Sequence, residues 1–427
     1  MKRLSVLVVL LFGAAVVILD GQEVRPLLLG IGQPPPAASS SPEAFFDDTV
    51  LHEIRLDMNS RDWQTLKDNF RLNDYYPADF RWRDQTVRGI GIRSRGSGSR
   101  SGVKPGLRVD IDHYAASQRF LGLKSFVLRN NTQDASSMRE RISMLLFRRL
   151  GLLASREAHT KVYVNSEYAG VYTIVESVDK DFLKRTLNEN DGYLYEYHYP
   201  VEPYFFDDLG SDPAKYVPVP FKPETHESDP RPEFIVQLVQ TINQASDAAF
   251  RTAIAEYVDL RKFVRHVAVE RFLADYDSIL GDFGMNNFYF YRFVDKNLFT
   301  FIAWDKSQAF SDATHSIWRN VTEGPAHSNK LMTRALASRD LYDLYLDTLI
   351  ECAASLDDAG ATGQRWIDRE IDREYGQIRD AVYADPQKDY SNDQFDGEVN
   401  RLREFALQRG PFVATEVNAA RALGPPR

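Results

Sequence analysis

The sequence predicts an α+β chain of two lobes with a cleft between them, and three observations carry that prediction. Short alternating runs fill the first part, with one helix-patterned stretch set among them. Helical periodicity fills the second part and is interrupted by one aromatic hairpin. No internal repeat period is visible along the chain.

Composition narrows the classes that need considering. The chain has 427 residues, 43% hydrophobic and 26% charged, which is ordinary for a globular protein with a sizeable core. Lys and Arg total 52 against 61 Asp and Glu, a formal charge of −9. A protein that grips nucleic acid through its phosphates leans basic, so nucleic acid is not expected as a partner. Cys352 stands alone, which excludes an internal disulfide and a cysteine zinc site, and its apolar neighbours predict a buried thiol. The histidines show no HExxH or similar metal-ligand spacing.

At the N-terminus, Lys2 and Arg3 precede an apolar run from Leu4 to Leu19. That pattern fits a signal-peptide core and is short for a membrane span. Residues 1–21 are therefore read as a signal peptide or an N-terminal membrane anchor, and either places the body outside the cytosol. Residues 22–44 include QPPPAASSSP and read as a Pro/Ser-rich linker. Residues 45–180 are expected to form the strand-rich lobe and 181–427 the helical one.

Within the first lobe, Val50 to Met58 alternates as a strand, and Asn59 opens a helix. Phe80 to Arg95 holds two short strands parted near Asp84, with Leu107 to Ile111 and Ser125 to Arg129 as further strands. Ser136 to Leu150 has apolar residues at helical spacing, serines at its start and Gly151 as its stop. Thr160 to Val164 and Gly170 to Val175 form a hairpin through Asn165-Ser166-Glu167. Glu233 to Leu273 reads as two or three helices, and Asn287 to Phe293 pairs with Leu298 to Trp304 in the aromatic hairpin. From Leu331 the chain is mostly amphipathic helix.

Candidate chemistry gathers at that hairpin. Asn287 lies five residues after Asp282, and Asp305 lies 18 after Asn287. Phosphoryl transfer needs a carboxylate for the attacking hydroxyl, a short amide oxygen on metal and a second carboxylate bridging metal to phosphate. A hairpin returns the chain, so Asn287 and Asp305 can stand side by side at one end. As turn formers and a strand cap, the same residues would carry no chemistry. Upstream, GIGIRSRGSGSRSGVKPGL brings backbone N–H groups and the cations Arg93, Arg95, Arg100 and Lys104 toward a phosphate. Arg108 in the next strand is placed like a phosphate-gripping lysine, with Glu140 on the following helix as its ion-pair partner. Glu176 sits at the hinge between lobes, facing either solvent or a nucleotide.

Taken together, these segments resemble the CotH kinase family, the spore coat protein H type of atypical kinase. The blocks are GIRSRGSGSR with KPGLRVDID; FLGLKSFVLRNN; SSMRERISMLLFRRLGL; KVYVNSEYAGVYTIVESVDKDFLKR; and DFGMNNFYFYR followed by FIAWD. The resemblance implies a two-lobed atypical protein-kinase-like fold, ATP with Mg2+ or Mn2+, and transfer to Ser or Thr of a secreted or surface protein. It matches Asp282 to the catalytic aspartate, with Asp277 as the alternative under a shifted alignment. Asn287 and Asp305 match the metal-side residues, Lys104 and Arg108 the basic positions near phosphate, and Glu176 the glutamate after the middle hairpin. The family often reads W-D-x-D where this chain has Trp304-Asp305-Lys306-Ser307. That departure keeps two alternatives open: a nucleotide-binding pseudokinase, and a non-catalytic surface protein on the same scaffold. Transfer of AMP in place of phosphate is a third.

Overall fold

The structure, a computed structural model, describes residues 41–424 except 201 and 323–328. The apolar run at the start and most of the Pro/Ser linker lie outside the described residues, so signal cleavage and anchoring stay with the sequence. Among the described residues no helix is long and apolar enough to cross a membrane.

Seven strands come first: β1 His52–Met58, β2 Tyr76–Trp82, β3 Gln85–Ser94, β4 Leu107–Asp110, β5 Ser125–Arg129, β6 Glu157–Val164 and β7 Glu167–Glu176. They close a barrel in the order β1-β2-β3-β4-β5-β7-β6, sealed by parallel pairing of β1 with β6. Closure explains the alternation, because every strand turns one face inward. Ile54, Leu56, Phe80, Trp82, Ile90, Ile92, Val109, Phe126, Leu128, Val162 and Ile174 form that interior. A short helix, α1 (Pro42–Phe45), drives Phe45 into it, with ring centroids 4.9 Å from Phe126 and 5.0 Å from Phe120. The sequence shows the strands but not their closure, since the β1–β6 pairing joins segments a hundred residues apart.

Local signals set the turns and caps. Asn165 and Ser166 take φ of 50° and 70°, a two-residue turn of the kind that matches strand twist. Helix α2 (Ser60–Asp68) starts at Asn59, whose side chain accepts from Arg61 N at 2.9 Å. Helix α3 is Arg139–Arg149, three residues later than Ser136. The delay has a cause: Ser137 has φ of 60°, and Asp134 accepts from Ser136 N at 2.9 Å and Arg139 N at 2.8 Å. Asp134 thus does the capping expected of the serines.

After the barrel come α4 (Lys180–Leu187), β8 (Tyr193–Tyr197), β9 (Phe221–Pro223), α5 (Glu233–Gln244), α6 (Asp247–Ile254) and α7 (Leu260–Phe272). The aromatic hairpin is β10 (Phe288–Arg292) and β11 (Phe299–Ala303), followed by α8 (Lys330–Leu336), α9 (Arg339–Asp357), α10 (Trp366–Tyr383) and α11 (Asn392–Leu423). β11-β10-β8-β9 make a second, antiparallel sheet. Val127 and Val175 on the barrel pack with Tyr289, Tyr291, Ile302 and Trp304 of the hairpin, so barrel and second sheet share a core. Cys352 is buried among the helices, as its neighbours indicate. Of the Tyr/Phe-rich segment 193–206, Tyr195, Tyr197, Tyr204, Phe205 and Phe206 are core residues and only Tyr199 is a large exposed aromatic.

Candidate functional site

The end of the hairpin builds the centre of the site. Trp304 N donates to Asn287 O at 3.3 Å, so the residues flanking β10 and β11 stand together. Asn287 and Asp305 both turn through positive φ, 59° and 46°, which carries the chain off the sheet on each side. The Asn287 amide nitrogen donates to Asp277 O at 2.8 Å and to Asp277 Oδ2 at 2.9 Å. That fixes the amide and leaves its Oδ1 without a hydrogen bond among the described residues. Asp277 also accepts from Asn286 Nδ2 at 2.9 Å. Asp305 pairs with Arg129 at 2.6 Å and accepts from Ser307 Oγ at 3.0 Å.

These surroundings treat the two carboxylates differently. Burial pushes Asp305 up, but Arg129, with Arg95 and Ser307, more than offsets it, and the group is held below the usual carboxylate range. Burial and the nearby Asp305 charge raise Asp277 against its amide hydrogen bonds. Asp277 has no ion pair among the described residues.

Asp277, Asn287 and Asp305 line one chamber of about 370 Å³, together with Ser97, Ser307 and the exposed Phe283. A second chamber of about 400 Å³ shares Asn287 and Asp305 with it and adds Arg93, Arg95 and Glu196. A third, of about 720 Å³, shares Arg93, Arg95 and Trp304 with the second and runs on past Arg108 to Ser177–Lys180. The shared walls make one groove from the end of the barrel to the hairpin. Arg95 lies at its middle, 5.4 Å over the Trp304 ring, with no ion pair and no side-chain hydrogen bond among the described residues. Burial first, and repulsion from Arg129 second, lower its pKa.

The structure sorts the expected site residues into two sets. Arg93, Arg95, Arg108, Asp277, Asn287 and Asp305 line the groove. Lys104, Glu140, Glu176 and Asp282 do not line it. Lys104 is buried against Asp385 at 2.7 Å. Glu176 is held by Arg156 at 2.8 Å and by Arg185, so it points to neither solvent nor groove. Glu140 does not pair with Arg108, which binds Asp110 at 2.9 Å; it contacts Arg129 on β5. Sequence spacing missed Arg129 because it selected the cation one strand too early. Asp282 is gripped through both oxygens by Arg319, at 2.7 and 2.6 Å, and by Asn320 at 2.9 Å. The five-residue offset to Asn287 thus selects a carboxylate that an arginine already holds, and Arg319 lies too far along the chain for that pairing to be visible in the motif.

Lys306, next to Asp305 in the sequence, is held by two other carboxylates. It is fully buried between Glu270 at 2.7 Å and Asp275 at 3.2 Å, and it also donates to Asn287 O at 3.3 Å. Burial alone would lower its pKa, but these two carboxylates raise it. Ser307, in place of a second acid, supports Asp305 by a hydrogen bond. Among the described residues no three His, Cys, Asp or Glu side chains form a metal cluster on their own. A cation that arrives on phosphate oxygens needs only one or two protein oxygens, and the free Asn287 Oδ1 beside Asp305 fits that demand.

Comparison with known proteins gives a consistent family. The family model for CotH kinase protein matches residues 92–413, a span that contains Arg93, Arg95, Arg108, Asp277, Asn287 and Asp305. The inner spore coat protein H of Bacillus subtilis (strain 168) is 23% identical over 361 residues, covering 84% of this chain and 95% of that protein. Among solved structures, the Helicobacter pylori proinflammatory kinase CtkA is 11% identical, with 69% of this chain and 91% of that chain covered, at a TM-score of 0.26. That superposition is too loose to add to the family match.

Proposed function

This chain belongs to the CotH kinase protein family, and on that premise we propose that it is an exported, ATP-dependent kinase that phosphorylates Ser or Thr of a secreted or surface protein. The fold proposed is two-lobed and kinase-like: the barrel is one lobe, the helical part the other, and the groove between them takes the nucleotide. One observation carries the reading. A fixed amide oxygen, an ion-paired carboxylate and a carboxylate without an ion pair meet in one chamber, next to an arginine that makes no ion pair or side-chain hydrogen bond among the described residues.

In this reading Asn287 Oδ1 and the Asp305 carboxylate hold Mg2+ or Mn2+. When bound, the cation offsets charge on the ATP phosphates. Arg95, with Arg93 and Arg108, binds the phosphates. Asp277 orients the acceptor hydroxyl and takes its proton, a role its raised pKa suits better than that of the arginine-bound Asp282. Arg129 holds Asp305 in place, and Glu140 holds Arg129. Export rests on the basic and apolar N-terminus, and the acidic net charge argues against nucleic acid as the substrate.

Ser307 favours one competing reading, a pseudokinase that binds nucleotide without transferring phosphate, because a neutral hydroxyl replaces a carboxylate there. The test measures ATP-dependent thermal stabilisation with Mn2+ and phosphate transfer side by side, in wild type and Asp305→Asn. A kinase shows both signals in wild type and loses both in the variant. Stabilisation without any transfer points to the pseudokinase, and signals unchanged by Asp305→Asn sink the cation site.

A further inference from the structure

The groove presents a hydroxyl of its own to the proposed transfer site. Four hydroxyl side chains line the chamber of Asp277, Asn287 and Asp305: Ser97, Ser99, Tyr199 and Ser307. Two of them are hydrogen-bonded within the protein, and a third lies close against the loop backbone. Ser307 Oγ donates to Asp305, and the Tyr199 hydroxyl donates to Phe283 O. Ser99 Oγ is tucked under Gly96, 2.5 Å from where a Cβ on that glycine would stand. The Ser99 carbonyl is pinned as well, by Asn130 Nδ2 at 2.9 Å and Thr132 Oγ1 at 3.3 Å.

Ser97 is different. It is exposed, and its side chain makes no hydrogen bond among the described residues. A glycine flanks it on each side, and Gly96 has φ of 113°, a conformation that favours glycine. Ser97 also borders the adjoining chamber, where Arg95 makes no ion pair or side-chain hydrogen bond among the described residues and Arg100 is spent on Gly96 O, Phe70 O and Leu72 O.

We propose that Ser97 is an acceptor in cis, a self-phosphorylation site on the loop that covers the groove. The proposal rests on the phosphotransferase reading above, with ATP as donor. Ser97 Oγ attacks the γ-phosphorus and forms the new O–P bond. The bond from that phosphorus to the β-bridging oxygen breaks, ADP leaves with its electron pair, and the hydroxyl proton passes to the Asp277 carboxylate. The phosphoserine then carries about two negative charges beside Arg95, where it competes with the phosphates of the next nucleotide. Self-labelling therefore slows the enzyme it modifies.

The experiment incubates the full chain with ATP and Mn2+, maps phosphate by peptide mass spectrometry, and follows ATP-dependent thermal stabilisation in the same samples. Phosphate on Ser97, at a fractional rate independent of protein concentration, is the expected result. Ser97→Ala should lose that label and Ser97→Thr restore it, while the labelled wild type shows weaker stabilisation by fresh ATP. Stabilisation by ATP with phosphate only elsewhere, or with none, overturns the proposal while leaving nucleotide binding intact. A labelling rate that climbs with protein concentration overturns transfer in cis. Wild type with neither stabilisation nor phosphate overturns the parent reading, and this one with it.

Discussion

The two ends of the groove handle charge in opposite ways. In the wide chamber the charged side chains largely satisfy one another: Arg108 binds Asp110, Lys222 binds Glu224, and Arg93 rests on the Tyr75 hydroxyl and Asn73. Toward the hairpin the protein leaves groups incomplete. Asn287 Oδ1 makes no hydrogen bond, the Arg95 guanidinium makes neither ion pair nor hydrogen bond, and Asp277 has no ion pair, among the described residues. An unpaired polar group in a half-buried place costs stability, so a chain that keeps several at one point keeps them for something that binds there. In the proposed function the wide end would shape the ligand and the hairpin end would react with it.

The sharpest way to break that contrast compares two acids five residues apart. Asp277→Asn removes the carboxylate without an ion pair and should lower phosphate transfer about 10²- to 10⁴-fold, the usual contribution of a positioned base. Asp282→Asn touches a carboxylate already neutralised by Arg319 and should cost less than about tenfold, by the same scale. Initial transfer rates at saturating ATP decide between them. Equal losses, or a larger loss at Asp282, would return the base to the motif position.

Two cations sharpen the contrast next, because they should respond with opposite signs. Lys104→Met strands the buried Asp385 carboxylate, which Lys104 and Val171 N now share. Breaking such a pair costs about 3–5 kcal/mol, read as a lower denaturant midpoint with ATP affinity little changed. Arg95→Ala should instead weaken ATP binding about 10- to 100-fold, the equivalent of one hydrogen bond to a charged group. Its melting temperature should hold or rise, since the variant removes a buried cation that repels Arg129. Titration calorimetry and melting curves on both variants separate a cation that supports the fold from one that waits for a ligand.

Much of this was legible along the chain, and what was not has a common cause. Strand β5 falls where alternation placed it, Ser125 to Arg129, and the Asn165-Ser166 turn follows from residues that tolerate positive φ. The hairpin that sets Asn287 beside Asp305 was likewise readable, because its register depends on a short turn. Pairing between distant segments was not readable. Barrel closure needs β1 on β6, the Asp305 partner Arg129 comes from another strand, and Asp282 is taken by an arginine 37 residues later. Spacing reports neighbours along the chain, whereas an ion pair is chosen by neighbours in space.

The smallest expected effect concerns the loop that supplies Arg319 and Asn320 to Asp282. His315 in that loop accepts a hydrogen bond from Arg271 Nη1 at 3.0 Å, and burial, with Arg271 and Arg409 close by, pushes its imidazole down to about 3. An unfolded histidine titrates near 6.5. Between those values the unfolded chain binds a proton that the folded chain refuses, so this contribution to stability is complete above about 6.5 and declines as the pH falls through the interval. His315→Gln keeps an acceptor for Arg271 without a titrating group. Its melting temperature should therefore fall less than that of wild type between pH 7 and pH 5, on the order of the two units over which an imidazole titrates. Parallel curves would mean that the loop opens before His315 takes up its proton, and would remove Arg319 from the list of groups that hold Asp282 away from the groove.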